Sequence, residues 1–256
     1  IVAFKDYAQT FASNSLTVGR NSSNIEGVAN DITLNGNAES ITLVYVDSTK
    51  GWVLVNESTT IYGPEFISAT GGDSVITCGN FKTHVFTSPG NFVVSTAGNP
   101  SGSTKVDYFV TAGGGGGGGD GGGGGGAGGF RLSNCVGSIP APTMSPLVNA
   151  CGALTVSATT YPITVGAGGN AGTYGPTTAG TPGSVSTFSS ISSAGGGAGG
   201  LGAPGCAGEA GGSGGGGTRS QPGGAGNTPP VSPPQGNPGG TGPSTPNGDG
   251  GGGAGA

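Results

Sequence analysis

Apolar and polar residues alternate in short runs over the first 111 positions, and beyond them large apolar residues become sparse. Alternation of period two marks half-buried strands. F-K-D-Y-A (4–8) and S-L-T-V (15–18) open the chain this way. S-I-T-L-V-Y-V (40–46) and G-W-V-L-V (51–55) carry the strongest signal, and the four residues between them, 47–50, predict a hairpin. In it Ile41, Leu43 and Tyr45 share one face, Val44 and Val46 take the other, and Trp52 anchors a small core. Gly71-Gly72-Asp73-Ser74 marks a boundary, after which V-I-T-C (75–78), F-K-T-H-V-F-T (81–87), N-F-V-V-S (91–95) and V-D-Y-F-V-T (106–111) resume the pattern. The run 81–87 is expected to turn at Ser88-Pro89-Gly90 into 91–95. No helical periodicity appears.

The last of these phrases leads into Gly113–Gly129, a run broken only by Asp120 and Ala127. The junction recurs: V-T-A-G-G (110–114), T-V-G-A-G-G (164–169) and I-S-S-A-G-G-G (191–197) each place a β-like phrase before glycines. Loops over 130–160 and 218–234, rich in Pro, separate the runs. Inside the runs a period of three emerges. From Gly196, every third residue is Gly through Gly199, Gly202, Gly205, Gly208, Gly211, Gly214 and Gly217; Gly166, Gly169, Gly172 and Gly175 keep the same step, as do Gly236, Gly239 and Gly242, with Gly248 and Gly251 resuming it. Three residues per turn is the repeat of the left-handed polyproline-II helix, and a bare glycine line lets another backbone approach closely.

The fold expected is therefore mainly β without α-helix. A small antiparallel β domain (1–72) precedes a short-strand segment (73–111) and a polyglycine-II bundle (112–256). Its backbone is carried by Gly113, Gly119, Gly121, Gly126, Gly166, Gly169, Gly199, Gly202, Gly205, Gly208, Gly211 and Gly214. Gly113–Gly129, open to neighbours on every side, is expected in the centre, and at about 3.1 Å per residue its length is roughly 53 Å. Two rivals stay open. One is a flexible glycine-rich linker; the other is a collagen-like triple helix, which only 236–243 approaches.

Composition sharpens this division. Of 62 glycines, 11 lie in residues 1–107 and 51 in the remaining 149, so the second part cannot assemble an ordinary oily core. Residues 108–256 hold only Asp120, Glu209, Asp249, Arg131 and Arg219 as ionised side chains. The net charge of −5 and the lack of a basic patch argue against a nucleic-acid partner. No apolar run approaches the roughly 20 residues of a membrane span. Starting at Ile1 and stopping among glycines, the chain is expected to be a piece of a longer protein.

Candidate chemistry is thin. His84 is the single histidine, and no G-x-S-x-G, H-E-x-x-H or paired-carboxylate arrangement occurs. No glycine run ends in G-K-[ST], so a phosphate loop is not indicated, and no cofactor is expected. Asp120 and Asp249 resemble fragments of calcium-binding repeats, yet G-G-x-G-x-D does not recur. Cys78, Cys135, Cys151 and Cys206 lack C-x-x-C spacing, so no metal site is expected; Cys135 and Cys151 are free thiols or a pair across one loop. Sequons at Asn21 and Asn56 are common coincidences. An enzyme is not expected.

I-V-A-F-K-D-Y-A (1–8) and D-I-T-L-N-G-N-A-E-S-I-T-L-V-Y-V-D-S-T-K-G-W-V-L-V (31–55) resemble a small β module of virion proteins from marine tailed phages. V-D-Y-F-V-T-A-GGGGGGG (106–119), Y-P-I-T-V-G-A-G-G (161–169) and S-T-F-S-S-I-S-S-A-G-G-G (186–197) resemble the glycine-rich domain of phage tail proteins. The architecture is also similar to the distal adhesins of T-even-like long tail fibres, whose stacked polyglycine helices expose receptor-binding loops. The resemblance implies a tail-fibre component acting outside the cell, with other virion proteins and a host surface glycan or outer-membrane protein as partners. It places the loops together at one end, with Phe130, Arg131, Tyr161, Tyr174 and Arg219 as contact candidates. Fibres of this kind are commonly homotrimers, whereas a single-chain bundle needs no partner strands, so both assemblies stay open. A structural spacer or capsid-decorating fibre, and an ice-binding or extracellular structural protein, are the alternative functions.

Overall fold

The computed structural model describes residues 1–36, 38–55, 65–99, 102–134, 148–149, 152–174 and 178–244. The chain is mainly β, built of small and mostly antiparallel sheets, with no helix among the described residues. It divides into two compact units, Ile1–Phe66 with Gly98–Ser103, and Ile67–Ala97 with Thr104–Ala256.

The first unit contains β1 (Val2–Lys5), β2 (Leu16–Val18), β3 (Ile32–Leu34), β4 (Ser40–Asp47) and β5 (Gly51–Leu54). β4 pairs with β1 and β5, and β2 with β3. The β4–β5 hairpin is the one the alternation predicts, with Leu43 opposite Leu54 and Tyr45 opposite Trp52. Ile41 and Leu43 are buried with Ile25, Ile32 and Leu34, and Trp52 packs against that cluster. Tyr45 follows the same face to the exposed end of the strand, where its ring meets Trp52 edge-on at 5.6 Å. The Asp6 carboxylate, buried after β1, accepts the N–H groups of Thr10 (3.0 Å), Phe11 (3.1 Å) and Ala38 (3.1 Å). Burial alone would raise this carboxyl, but the N–H groups of Phe11, Thr10, Ala38 and Gln9 outweigh it and hold it below its ordinary value.

The second unit begins with β6 (Ser68–Thr70), β7 (Ser74–Cys78), β8 (Phe81–Val85) and β9 (Gly90–Thr96). β10 (Lys105–Val106), β11 (Phe109–Thr111), β12 (Phe130–Ser133), β13 (Val148–Asn149) and β14 (Leu154–Thr155) follow. β15 (Thr160–Thr164), β16 (Ser186–Phe188) and β17 (Ile191–Ser193) complete it. A five-stranded sheet runs β17-β16-β15-β9-β6, beside the smaller sheets β11-β12-β13, β10-β14 and β7-β8. Phe92, Val94, Tyr108, Val156 and Phe188 form the core. The chain does turn after β8, but β8 pairs with β7, while β9 joins β6 and β15. That pairing brings Phe92 to Phe188, edge-on at 5.9 Å; the β7–β8 hairpin, largely exposed, offers no such nucleus. The phrase 106–111 is two strands rather than one. Ser133 Oγ donates to Asp107 (2.8 Å) and accepts the Tyr108 N–H (3.1 Å), drawing Tyr108 out of line into the core.

Asp73 fastens the turn after β8. Its carboxylate accepts the Thr87 N–H (2.6 Å) and Ser88 N–H (3.0 Å) and both of their hydroxyls. The Thr87 N–H, then the Ser88 hydroxyl and the remaining two bonds, lower its pKa to about 2. The folded value lies below the unfolded one, so the tie is intact above the ordinary carboxylate range and is lost as pH falls through about 2. NMR titration is expected to show the Thr87 and Ser88 amides moving near that pH, and Asp73→Asn should abolish the step.

In the glycine runs the backbone supplies its own partners. Gly115 donates to Gly126 (2.8 Å) and Gly118 to Gly123 (2.9 Å), so 113–119 and 123–129 lie antiparallel. The run is therefore not one length of roughly 53 Å, as the sequence suggested: it folds back at Asp120 and Gly121, both left-handed at φ 56° and 66°. Asp tolerates that conformation better than most residues, and Gly adopts it freely. Elsewhere bonds step by three. Gly123, Gly126 and Gly129 donate to Gly200, Gly197 and Ala194, and Gly196, Gly199 and Gly202 donate to Gly113, Gly116 and Gly119. Gly169 and Gly172 donate to Gly114 and Gly117, and Gly214 and Gly217 to Asn237 and Gly240. Burial keeps the same step: Gly113, Gly116, Gly119, Gly123, Gly126 and Gly129 are buried, the residues between them less so.

Residues 218–234 are likewise not one loop. Two turns, 218–221 and 227–235, flank a stretch in which Gly224 donates to Gly215 and accepts from Gly239. Cys135, Cys151, Asp249 and the Asn56 sequon lie outside the described residues, as do all of residues 135–147.

Candidate functional site

Four reversals of the second unit meet at one end. The first is Asp120–Gly121. The second joins Thr173 to Thr178, whose N–H donates to the Thr173 carbonyl (3.2 Å) and whose Oγ1 accepts the Thr173 N–H (2.9 Å). Leu201 to Cys206 forms the third, closed by Cys206 N–H to Leu201 O (3.0 Å). Thr218 to Gln221 forms the fourth, closed by Gln221 N–H to Thr218 O (2.8 Å), with Arg219 and Ser220 left-handed at φ 48° and 64°.

These turns are tied together. Gly202 donates to Gly119 (3.0 Å). Thr218 is fully buried; its hydroxyl donates to Leu201 O (2.8 Å) and accepts the Cys206 N–H (3.0 Å). The backbone beside Gly119 is that of Thr173 and Thr178. The Arg219 stem lies on Gly205, where an added Cβ would stand 2.9 Å from Arg219 Cβ and 3.0 Å from its Cδ. Among the described residues, Tyr174, 82 % exposed, and Arg219 and Gln221, both exposed, are large side chains this end presents, with Leu201 half-buried and Pro204 exposed beside them.

The five contact candidates do not share this end. Tyr174 and Arg219 occupy it; Phe130, Arg131 and Tyr161 sit on strands at the other. Phe130 opens β12 opposite Thr111, donates its N–H to Gln235 O (2.8 Å) and sets its ring edge-on to Phe109 at 5.1 Å. Arg131 pairs across from Val110. Tyr161 lies opposite Phe92, with ring centroids 6.5 Å from Phe92 and 6.1 Å from Phe188, and its hydroxyl accepts the Ser157 N–H (2.8 Å). Packing leaves Tyr161 little freedom to serve a ligand.

The glycines named from the sequence sort into two kinds. At Gly113, Gly119, Gly126, Gly166, Gly169, Gly199, Gly202, Gly208, Gly211 and Gly214 a Cβ would come within 3.0 Å of another segment's backbone. Gly121 and Gly205 instead occupy end turns at φ 66° and 105°. Sequence reading did not single out Thr218, Gln235 or Asp120 as organising residues. For Asp120 a signal existed, since a lone Asp among glycines favours a turn.

No group of three His, Cys, Asp or Glu side chains able to hold a metal occurs among the described residues. Nor, among them, is any helix long and apolar enough to cross a membrane. Among the described residues, this end offers a partner the Tyr174 ring, the Arg219 guanidinium, the Asp120 carboxylate and a hydrogen-bonded backbone. A family model described as "Glycine-rich domain" matches residues 87–256. No curated protein and no solved structure matches the chain.

Proposed function

The chain belongs to the glycine-rich domain family, and on that premise we propose that it is a non-enzymatic bacteriophage tail-fibre protein that attaches the virion to a host cell. The glycine runs are polyglycine-II helices, a reading supported by the step of three that hydrogen bonding and burial share. The observation that carries attachment is the gathering of four turns at one end, where Tyr174 and Arg219 stand exposed on glycine-rich segments otherwise poor in large side chains. Tyr and Arg are residue types enriched where binding energy concentrates. A backbone-locked scaffold holds them with little mobility to lose on binding. The partner is a surface glycan or an outer-membrane protein, recognised by shape, while other virion proteins anchor the chain outside the cell.

Adsorption of the labelled full chain to the bacterial host of virions that carry it tests this reading. The double variant Tyr174→Ser/Arg219→Ser should keep the parent's Tm and lose at least tenfold in cell binding. Equal adsorption by parent and variant would instead favour a spacer without receptor contact.

A further inference from the structure

Prolines avoid the interior of the glycine-rich bundle. None occurs in 113–119, 122–129, 194–200 or 211–217, the segments that hold most of the buried glycines. Among the described residues of the bundle they lie in the turns at 204 and 229–234 and on three outer segments. In 178–185, the N–H groups of Thr178, Thr181 and Ser184 go to Thr173, Asn170 and Ala167, and that of Gly183 to Gly196. The remaining line, Ala179, Pro182 and Val185, is exposed. In 221–226, Gly224 donates inward to Gly215, while Pro222 and Ala225 are exposed. In 236–243, Gly239 and Gly242 donate to Gly224 and Gln221, while Pro238 and Pro243 are exposed.

On each outer segment the outward positions recur every third residue, about 9 Å apart, and proline interrupts the N–H array there. That is the same array by which neighbouring segments inside the bundle hold one another. A second copy of this chain carries matching carbonyl rows, so bare outer faces would accept it as an unpaired sheet edge accepts another strand. Proline removes the N–H and sets a ring where the incoming carbonyl would approach.

We infer that Pro182, Pro222 and Pro238 close the sides of the bundle to lateral addition of a second copy, leaving its ends for contacts. The test is the full chain with Pro182→Ala, Pro222→Ala and Pro238→Ala combined, which restores three outward N–H groups without adding bulk. Light scattering should show at least a twofold rise in mass over the parent at equal concentration, with amide protection of 113–129 intact. Pro89→Ala, on an exposed turn outside the glycine runs, should keep the parent's mass. A folded triple variant with the parent's mass at every concentration overturns the inference, as does an equal rise for Pro89→Ala. Should the triple variant lose its protection, the three single variants decide by the same measurement. A mass gain in any one supports closure, and parental mass in all three overturns it.

Discussion

Gly123→Ala is expected to lower the melting temperature by roughly 6–12 °C, whereas Gly117→Ala, in the paired arm of the same run, leaves it unchanged or slightly raised. A methyl on Gly123 would press into the Gly216 carbonyl, with the Gly200 nitrogen at 3.3 Å behind it. Both neighbours are backbone held by further hydrogen bonds: Gly123 donates to Gly200 (2.8 Å), Gly216 to Gly124 (2.9 Å) and Gly200 to Gly216 (2.9 Å). Moving one segment loosens the others, so the cost falls at or above the upper end of ordinary overpacking, about 3 kcal/mol. For a unit of this size each kcal/mol shifts the midpoint by about 2–4 °C. At Gly117 the nearest atom to an added Cβ is the Gly123 oxygen at 3.5 Å, an ordinary contact. Replacing glycine where the space exists restricts the unfolded chain and stabilises by about 0.4–1 kcal/mol. A flexible linker would show no difference between the two positions. Differential scanning calorimetry of the pair therefore separates an ordered bundle from a linker directly.

Gln235→Leu should cost about 2–4 kcal/mol, although Gln235 is one polar residue in a Pro-rich stretch. Its side chain is buried, with Oε1 accepting the Ala194 N–H (2.8 Å) and Nε2 donating to Pro229 O (2.8 Å). Its own carbonyl accepts the Phe130 N–H (2.8 Å), and its N–H goes to Asn227 Oδ1 (3.2 Å). One residue thus joins the start of β12, the exit from β17 and the 227–235 turn. Leucine fills similar space but strands the buried Ala194 N–H, and an orphaned buried donor carries its full desolvation cost. The Pro229 carbonyl, on an exposed residue, can turn to water. Ser193, the residue before Ala194, makes the contrast. Its Oγ is buried without a partner, so Ser193→Ala should be neutral or stabilising. Amide exchange at Ala194 should accelerate in Gln235→Leu and not in Ser193→Ala.

Local pattern carried much of the architecture. The β4–β5 hairpin follows from alternation alone, because one wrong register would expose Ile41 and Leu43 together. The step of three in Gly196–Gly202 and again in Gly208–Gly217, either side of the turn that holds Gly205, is legible for a similar reason. A buried line that admits no Cβ must recur at the same step as the bonds between segments, and that step is written in the residues themselves. The composition likewise announces that 112–256 cannot rely on large apolar groups.

What the sequence could not settle is who pairs with whom. Glycines are identical donors and acceptors, so nothing in Gly113–Gly129 says whether the run extends or doubles back. The left-handed turn at Asp120 decides it, and only because Gly200, Gly197 and Ala194 stand ready to accept from the returning arm. Likewise 218–234 reads as a loop until Gly224 is seen between Gly215 and Gly239. Tyr161 and Tyr174 look alike as loop aromatics, yet one packs on Phe92 and Phe188 and the other stands in solvent. The sequence by itself determined the strand phrases, the absence of helical periodicity and the three-residue step, each a property of neighbours along the chain. Only the tertiary structure decided the fold-back, the pairing of segments and which large side chains reach the far end, because those depend on contacts between residues that no local repeat distinguishes.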